Sequence, residues 1–192
     1  YNTHKVHGWA GTSGDQTGIL FEAVHLRSDG FKVLDTSGDT GFDHTELMLK
    51  TRWQPNARHG FELKLGYSNE TSNETYLGLS ADDYAVNPYR RYSASSEGLM
   101  NWNRTQAELA WPVQINNAIQ IRTVAYHHWF DRAWTKFNRF AGSVDTHALL
   151  QQSEPGGQAA VYMAILQGEE DTSTEDQVLQ IGTNDRSFIS QG

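Results

Sequence analysis

The chain has 192 residues, a formal net charge of −8, 38% hydrophobic residues and a mean hydropathy of −0.62. The length suits one domain, and the acidic balance argues against a basic nucleic-acid-binding protein. The chain contains no cysteine, which excludes disulfides and thiolate metal sites, and no apolar run approaches the roughly 20 residues of a membrane-spanning helix.

Seven segments are rich in aromatic and β-branched residues and are separated by clusters of Gly, Asn, Asp and Pro. This distribution predicts strands and essentially no helix. The predicted strands are residues 2–11, 17–27, 44–54, 59–68, 101–113, 118–132 and 176–182.

Two of these strands alternate apolar and polar residues in near-strict period two. In strand 44–54, Leu47 and Leu49 alternate with Glu46 and Lys50. In strand 59–68, one side carries Phe61, Leu63, Leu65 and Tyr67, and the other carries Glu62, Lys64 and Gly66. Since successive residues of a strand face opposite sides of a sheet, each strand has one apolar and one charged face. The pattern suits a transmembrane β-barrel wall between hydrocarbon and water, and also the outer sheet of a soluble sandwich.

The predicted connections are alternately short and long. Short turns are expected at 12–16, 55–58 and 114–117, and long links at 28–43, 69–100 and 133–175. Outer-membrane barrels have this asymmetry, with short periplasmic turns and long extracellular loops. Trp53 and Trp111 lie beside short turns on the predicted apolar side, as in an interfacial aromatic girdle; the alternative is that they close a sandwich core.

A long ordered motif carries a family resemblance. It consists of GYSNETSNETYLGLS at 66–80, NPYRRY at 87–92 and NRTQ at 103–106, with further support from YNTHKVHGWAG at the start and GTNDRSFISQG near the end. This pattern resembles the TonB-dependent outer-membrane receptors, specifically the ferric dicitrate receptor-like branch. In that family a barrel of 22 strands is filled by an amino-terminal plug.

The resemblance implies an all-β fold in which residues 1–192 form an antiparallel up-and-down transmembrane β-barrel segment, about seven strands of a larger barrel. The plug and the remaining strands are expected to lie outside this chain. The implied function is to bind and import a ferric chelate, of the ferric citrate or siderophore type, across the outer membrane of a Gram-negative bacterium. The implied partners are the iron chelate, outer-membrane lipid and, through the plug, the TonB complex. The alternative is a secreted, soluble β-sandwich that binds carbohydrate through its aromatic loops.

The candidate ligand-binding residues in the long loop 69–100 are Tyr89, Arg90, Arg91 and Tyr92. Guanidinium groups bind carboxylates in bidentate fashion, and iron–citrate or siderophore complexes are often anionic. The sequence therefore predicts a ligand clamp at the extracellular mouth. The alternative is that the arginines hold the loop together through the neighbouring acids Asp82 and Asp83.

His128 is a further ligand-binding candidate, because it shares the predicted lumen side with Arg122. His127 is adjacent and faces the other side, so the two histidines cannot bind one metal ion together. A histidine at the surface near the headgroup level is the alternative. The sequence contains no nucleophile elbow, phosphate loop or metalloprotease helix, so we predict no enzyme, no cofactor and no metal site.

Overall fold

The computed structural model describes residues 1–73 and 75–192. Its elements in chain order are β1 (His4–Ser13), β2 (Thr17–Ser28), β3 (Val33–Leu34), β4 (Phe42–Trp53), β5 (Phe61–Asn73), α1 (Ala81–Val86), β6 (Arg90–Arg91), β7 (Leu99–Asn116), β8 (Ile119–Phe140), α2 (Thr146–Leu150), α3 (Gln158–Gln167) and β9 (Leu179–Gln191). Single 3-10 turns occur at Ser93–Ser95 and Glu175–Gln177.

Seven strands form one antiparallel sheet in the order β1-β2-β4-β5-β7-β8-β9, so each long strand lies beside its neighbours in sequence. The prediction of an all-β, antiparallel, up-and-down arrangement is confirmed at this level. Among the described residues, the outer strands β1 and β9 each have a partner strand on one side only and do not pair with each other, so the sheet is open. The short strands β3 and β6 form a separate parallel pair.

All seven predicted long strands are present, and the structure extends several of them toward the long connections. β5 continues to Asn73, β7 begins at Leu99 and β8 continues to Phe140, past the predicted limits at 68, 101 and 132. The last strand begins at Leu179, not at 176, and runs to Gln191. These extensions contain several Asn, Arg and Ser residues, which are common in loops. Their backbones nevertheless pair with a neighbouring strand, except at the register shift between Phe137 and Arg139.

The prediction of essentially no helix is wrong, because three short helices lie in the long connections. The Ser80 hydroxyl caps α1 by accepting a hydrogen bond from the Asp83 backbone N–H at 3.2 Å. Asp145 caps α2 in the same way, 2.9 Å from the His147 N–H. The last helix, α3, ends at Gly168, which has a φ of 81° that favours glycine.

Strand register divides the sheet into two chemically different faces. We call one the apolar face; it carries Val6, Ala10, Ile19, Phe21, Leu47, Leu49, Leu63, Leu65, Ala107, Leu109, Ile121 and Ala125. Phe21, Leu109 and Ile121 are 47%, 48% and 52% exposed, and in the described ranges no second layer of protein covers this face. The opposite side, which we call the polar face, carries the charged residues of the same strands.

The hydrophobic core lies at the end of the sheet that carries the long connections, where the two connections 75–98 and 141–178, which we call the cap, pack against the end of β8. Its fully or nearly fully buried members are Tyr92, Ala94, Phe137, Phe140, Leu149, Tyr162, Met163, Ile165 and Leu166. The connections meet where the Ser93 hydroxyl donates to the Gln167 carbonyl at 2.6 Å. A Cβ on Gly168 would lie 2.3 Å from that hydroxyl oxygen, so glycine allows this close approach. The long connections are therefore a packed unit.

Leu166→Ala should destabilise the cap by about 2–5 kcal/mol, because it removes a fully buried side chain and leaves a cavity. The measurement is hydrogen exchange of the α3 amides. Val86→Ala is the matched control: Val86 lies in the same cap but is 86% exposed, so the substitution should change stability by less than about 0.5 kcal/mol. Equal exchange rates in the two variants would contradict a packed cap.

Candidate functional site

Aromatic side chains border the apolar face at its short-turn end. The rings of Trp53 and Phe61 lie 5.6 Å apart across β4 and β5, and Phe61 is 6.3 Å from Trp111 on β7. The predicted placement of Trp53 and Trp111 on the apolar face, beside short turns, is confirmed. Tyr67 and Trp129 lie on the same face toward the cap.

The apolar face ends directly beyond Tyr67 and Trp129. The next cross-strand row on that face is Asn69, Asn103, Asp131 and Ser187. Apolar side chains therefore form a band, with an aromatic row at its short-turn end and a polar row at its cap end. The band runs across neighbouring strands because their register is continuous.

At the short-turn end, residues of six strands line an open concavity of about 480 Å³ on the polar face. Arg122 donates to Glu62 at 2.7 Å, and Lys64 lies 3.5 Å from Glu108. The carboxylates of this region therefore lie beside cations of the neighbouring strands. Such partly exposed pairs contribute little stability each, but they give this side of the sheet a water-compatible surface.

Arg90 lies at the edge of the cap and contacts acids from three connections. Its Nε is 3.0 Å from Asp35 and its Nη1 is 2.7 Å from Asp83, with Glu169 at 4.0 Å. Asp35 belongs to the connection before β4, so this guanidinium joins that connection to the cap. Of the two acids expected to hold the loop together, Asp83 has this role and Asp82 does not contact Arg90.

The other clamp candidates differ in accessibility. Arg91 and Tyr92 are each 1% exposed. Arg91 donates to the carbonyl oxygens of Ser95 and Gly98, so a ligand reaches it only if the cap opens. Tyr89 is half-exposed and meets Phe31 edge to face, with ring centres 6.1 Å apart. The accessible members of the predicted clamp are therefore Tyr89 and Arg90, and a ligand role for all four residues stays a prediction.

A hydrogen-bond network around Asp83 connects these residues. The Tyr92 hydroxyl donates to the Asp83 carboxylate and accepts from the Ser80 backbone N–H at 3.0 Å. Burial alone would raise the pKa of Asp83, but the hydrogen bond from Tyr92 and the charge of Arg90 outweigh it and hold that pKa below its ordinary value. Burial and the Asp83 carboxylate raise the pKa of Tyr92. The network is thus built for an ionised Asp83 and a protonated Tyr92.

The structure places His128 on the polar face, on the same side as Arg122, as predicted. Its Nε2 lies 3.2 Å from Glu108. His127 lies on the apolar face with Gln191 at 3.3 Å, so the two histidines do face opposite sides. Among the described residues, no group of three or more His, Asp or Glu side chains could hold a metal ion.

No helix in the described ranges has the length and apolar character needed to cross a bilayer. Comparison of this chain with protein-family models, curated proteins and solved structures finds no match. Its function is therefore inferred from its own residues and their geometry.

Apart from His128, the sequence-based candidates do not include a set of aromatic and cationic side chains on the polar face near the cap. On the polar face, β8 presents every second residue of 126–136; we call this set, together with its neighbours on β7 and β9, the ring–cation strip. Its members are Tyr126, His128, Phe130, Arg132, Trp134 and Lys136 of β8, Trp102 and Arg104 of β7, and Arg186 and Phe188 of β9. The period-two alternation is readable in residues 126–136, but the predicted strand ends at 132, and the predicted last strand, 176–182, ends before Arg186 and Phe188.

Because Asp83 is ionised in its network, we expect the stability of the cap to fall in acid. Because its pKa is lower in the folded state than in the unfolded one, the carboxylate stabilises the cap fully above about pH 4, and that stabilisation is lost as the pH falls through the folded-state pKa. Asp83→Asn should lower cap stability at neutral pH and flatten its dependence on acid. The measurement is hydrogen exchange of α1 and α3 amides between neutral and acidic pH.

Asp82→Asn is the matched control, since it removes the same charge from the neighbouring, exposed position. It should keep the wild-type acid dependence. If the two variants show the same pH profile, the Asp83 network does not stabilise the cap.

Proposed function

We propose that this chain is part of the β-barrel wall of a TonB-dependent outer-membrane receptor that binds and imports a ferric chelate, of the ferric citrate or siderophore type. The observation that carries the proposal is the uncovered apolar band across the sheet, with an aromatic row at one limit and a polar row at the other. An apolar patch of this extent is rare on the surface of a soluble monomer. Lipid acyl chains are the environment that would cover it.

The polar face supports the same proposal. In a barrel wall it lines the water-filled interior, where the paired charges of Glu62, Lys64, Glu108 and Arg122 stay hydrated. Apolar residues on the outside and polar residues on the inside are the alternation typical of transmembrane barrels. A secreted β-sandwich would instead need a second sheet over the apolar face.

The open edges support a wall larger than this sheet. β1 and β9 each have one edge without a partner strand among the described residues. Unpaired backbone groups in hydrocarbon cost several kcal/mol each, so in a membrane these edges need further strands. Bacterial single-chain barrels have an even number of strands, and this sheet has seven.

The cap supports capture of a ligand on one side of the membrane. It lies at the end of the sheet opposite the short turns, which corresponds to the extracellular side of such a barrel. Tyr89 and Arg90 lie on its accessible part, where a ligand carboxylate would compete with Asp35 and Asp83 for the guanidinium. Import past the plug, driven by the TonB complex, is the role that the family resemblance implies for the whole protein.

Leu63→Arg should destabilise the full-length protein in lipid vesicles by about 2–4 kcal/mol, because it places a charge on the lipid side of the wall. Val124→Arg is the matched control: Val124 is 42% exposed on the polar face, where an arginine remains in water. The measurement is the free energy of unfolding in denaturant. Equal losses in the two variants would contradict the proposal.

Tryptophan fluorescence in brominated lipid tests the orientation directly. Trp53, Trp111 and Trp129 lie on the apolar face, and Trp9, Trp102 and Trp134 lie on the polar face. The test uses two variants of the full-length protein, one that keeps only Trp111 of these tryptophans and one that keeps only Trp102. Brominated acyl chains should quench the fluorescence of Trp111 strongly and leave that of Trp102 nearly unchanged. Equal quenching of both, or of neither, would contradict a membrane wall with this orientation.

A further inference from the structure

We propose that the ring–cation strip binds an anionic ligand that carries planar, aromatic rings. The inference rests on the proposed function, in which the polar face lines the barrel interior, and it narrows the class of chelate. Its basis is the combination of cations without a carboxylate partner and partly exposed rings on the polar face. Arg104 and Arg186 donate only to the neutral side chains of Gln106 and Asn184.

The cations of the strip lack the carboxylate partners that Arg122 and Lys64 of the same face have. Arg122 and Lys64 lie beside Glu62 and Glu108. In contrast, four cations of the strip have no carboxylate of the described residues within 4.0 Å. They are Arg104, Arg132, Arg186 and Lys136.

Two of these arginines also lie directly opposite each other. Arg132 on β8 and Arg186 on β9 are cross-strand partners on the polar face, and like charges in that position are destabilising. The Nε of Arg132 is buried and has no hydrogen-bond partner within the described ranges, so a ligand would reach this guanidinium through its terminal nitrogens. An anionic ligand between the two guanidinium groups would supply the missing counter-charge, since arginine binds carboxylate and similar oxygens in bidentate fashion.

The rings of the strip form a continuous shelf beside these cations. Trp102 lies 5.8 Å from Phe130, which lies 6.0 Å from Phe188, measured between ring centres. His44 of β4 extends the row at 5.5 Å from Trp102. Phe188 is 50% exposed, although it lies on the polar face of the sheet. Ring faces at such spacing suit stacking or edge contacts with planar groups of a ligand.

Near the cap, cations already lie over ring faces. The Lys136 Nζ is 3.1 Å from the ring centre of Tyr76 and 5.0 Å from that of Trp134, and the Arg132 guanidinium carbon is 5.9 Å from Trp134. From residue 126 to residue 136 of β8 the strip is about 34 Å long, at about 3.4 Å per residue. It therefore runs from the cap end toward the middle of the sheet, along the direction a ligand would travel through the barrel.

The strip thus favours a chelate with anionic oxygens on aromatic rings over an anion without rings. A ring-free anion such as ferric citrate would meet the arginines but gain nothing from the shelf of rings. A neutral ring-bearing ligand would leave the opposed arginines without a counter-charge. Only a ligand with both anionic oxygens and planar rings contacts both the arginines and the rings of the strip.

The test compares two probes on the full-length protein in lipid nanodiscs: the ferric complex of 2,3-dihydroxybenzoate and ferric citrate. Wild type should bind the ring-bearing complex more tightly. Phe130→Leu, which removes a ring, and the double variant Arg132→Gln with Arg186→Gln should each weaken its binding by about tenfold or more. Arg186→Gln alone, at an exposed edge-strand position, keeps the test informative if the double variant fails to fold.

Arg122→Gln is the matched control, as it removes a cation from the same strand and face that already pairs with Glu62. It should bind the ring-bearing complex like wild type. Tighter binding of ferric citrate, or wild-type affinity in the strip variants, would overturn the inference while leaving the receptor function in place. If neither complex binds but lipid quenches Trp111, the inference also fails and the barrel wall stands. If neither binds and Trp111 is not quenched, the proposed function fails as well.

Discussion

The alternation of side chains across one continuous register is the constraint on which the rest of this structure depends. A shift of one residue in any strand pair would move that strand's apolar side chains to the polar face. Leu49, for example, lies opposite Phe21 on one side and Leu65 on the other. In the described part of the sheet, register shifts occur between Gln114 and Asn116 and between Phe137 and Arg139. Both lie toward strand ends, so the apolar band between them stays aligned.

The cap needs its own core because the sheet provides none. Neither face of the sheet is covered by a second layer in the described ranges, so stable loops must bury apolar residues among themselves. The register shift near the end of β8 contributes to this core. In a regular strand Phe137 and Phe140 would face opposite sides, but the extra residue puts them opposite Ile181 and Leu179, which share a side. Both rings can then pack together, 5.6 Å apart, and contribute to the core of the cap.

The sequence allowed prediction of the seven strands and the two faces, because period-two alternation is a local property. It did not allow prediction of the helices. α3 buries Tyr162, Met163, Ile165 and Leu166, so it lacks the one-sided apolar period of a surface helix. It also did not show which clamp residues are accessible, since Arg91 is buried by contacts with backbone oxygens that no side-chain pattern reveals. Long-range ion pairs such as Arg90 with Asp35 depend on how two connections meet.

The alternation of side chains between the two faces also explains why the ring–cation strip cannot be recognised in the sequence as a charged region. Arg132 directly follows Asp131, and Arg186 directly follows Asp185, so each short stretch of sequence is neutral. In the sheet, however, adjacent residues face opposite sides. Asp131 and Asp185 therefore lie on one face and both arginines on the other, where they oppose each other. Neutral pairs in sequence thus become a positive surface on the polar face of a chain whose net charge is −8. Folding alone gains nothing from this separation, because it places like charges together; the proposed anionic ligand on the polar face would supply their counter-charge.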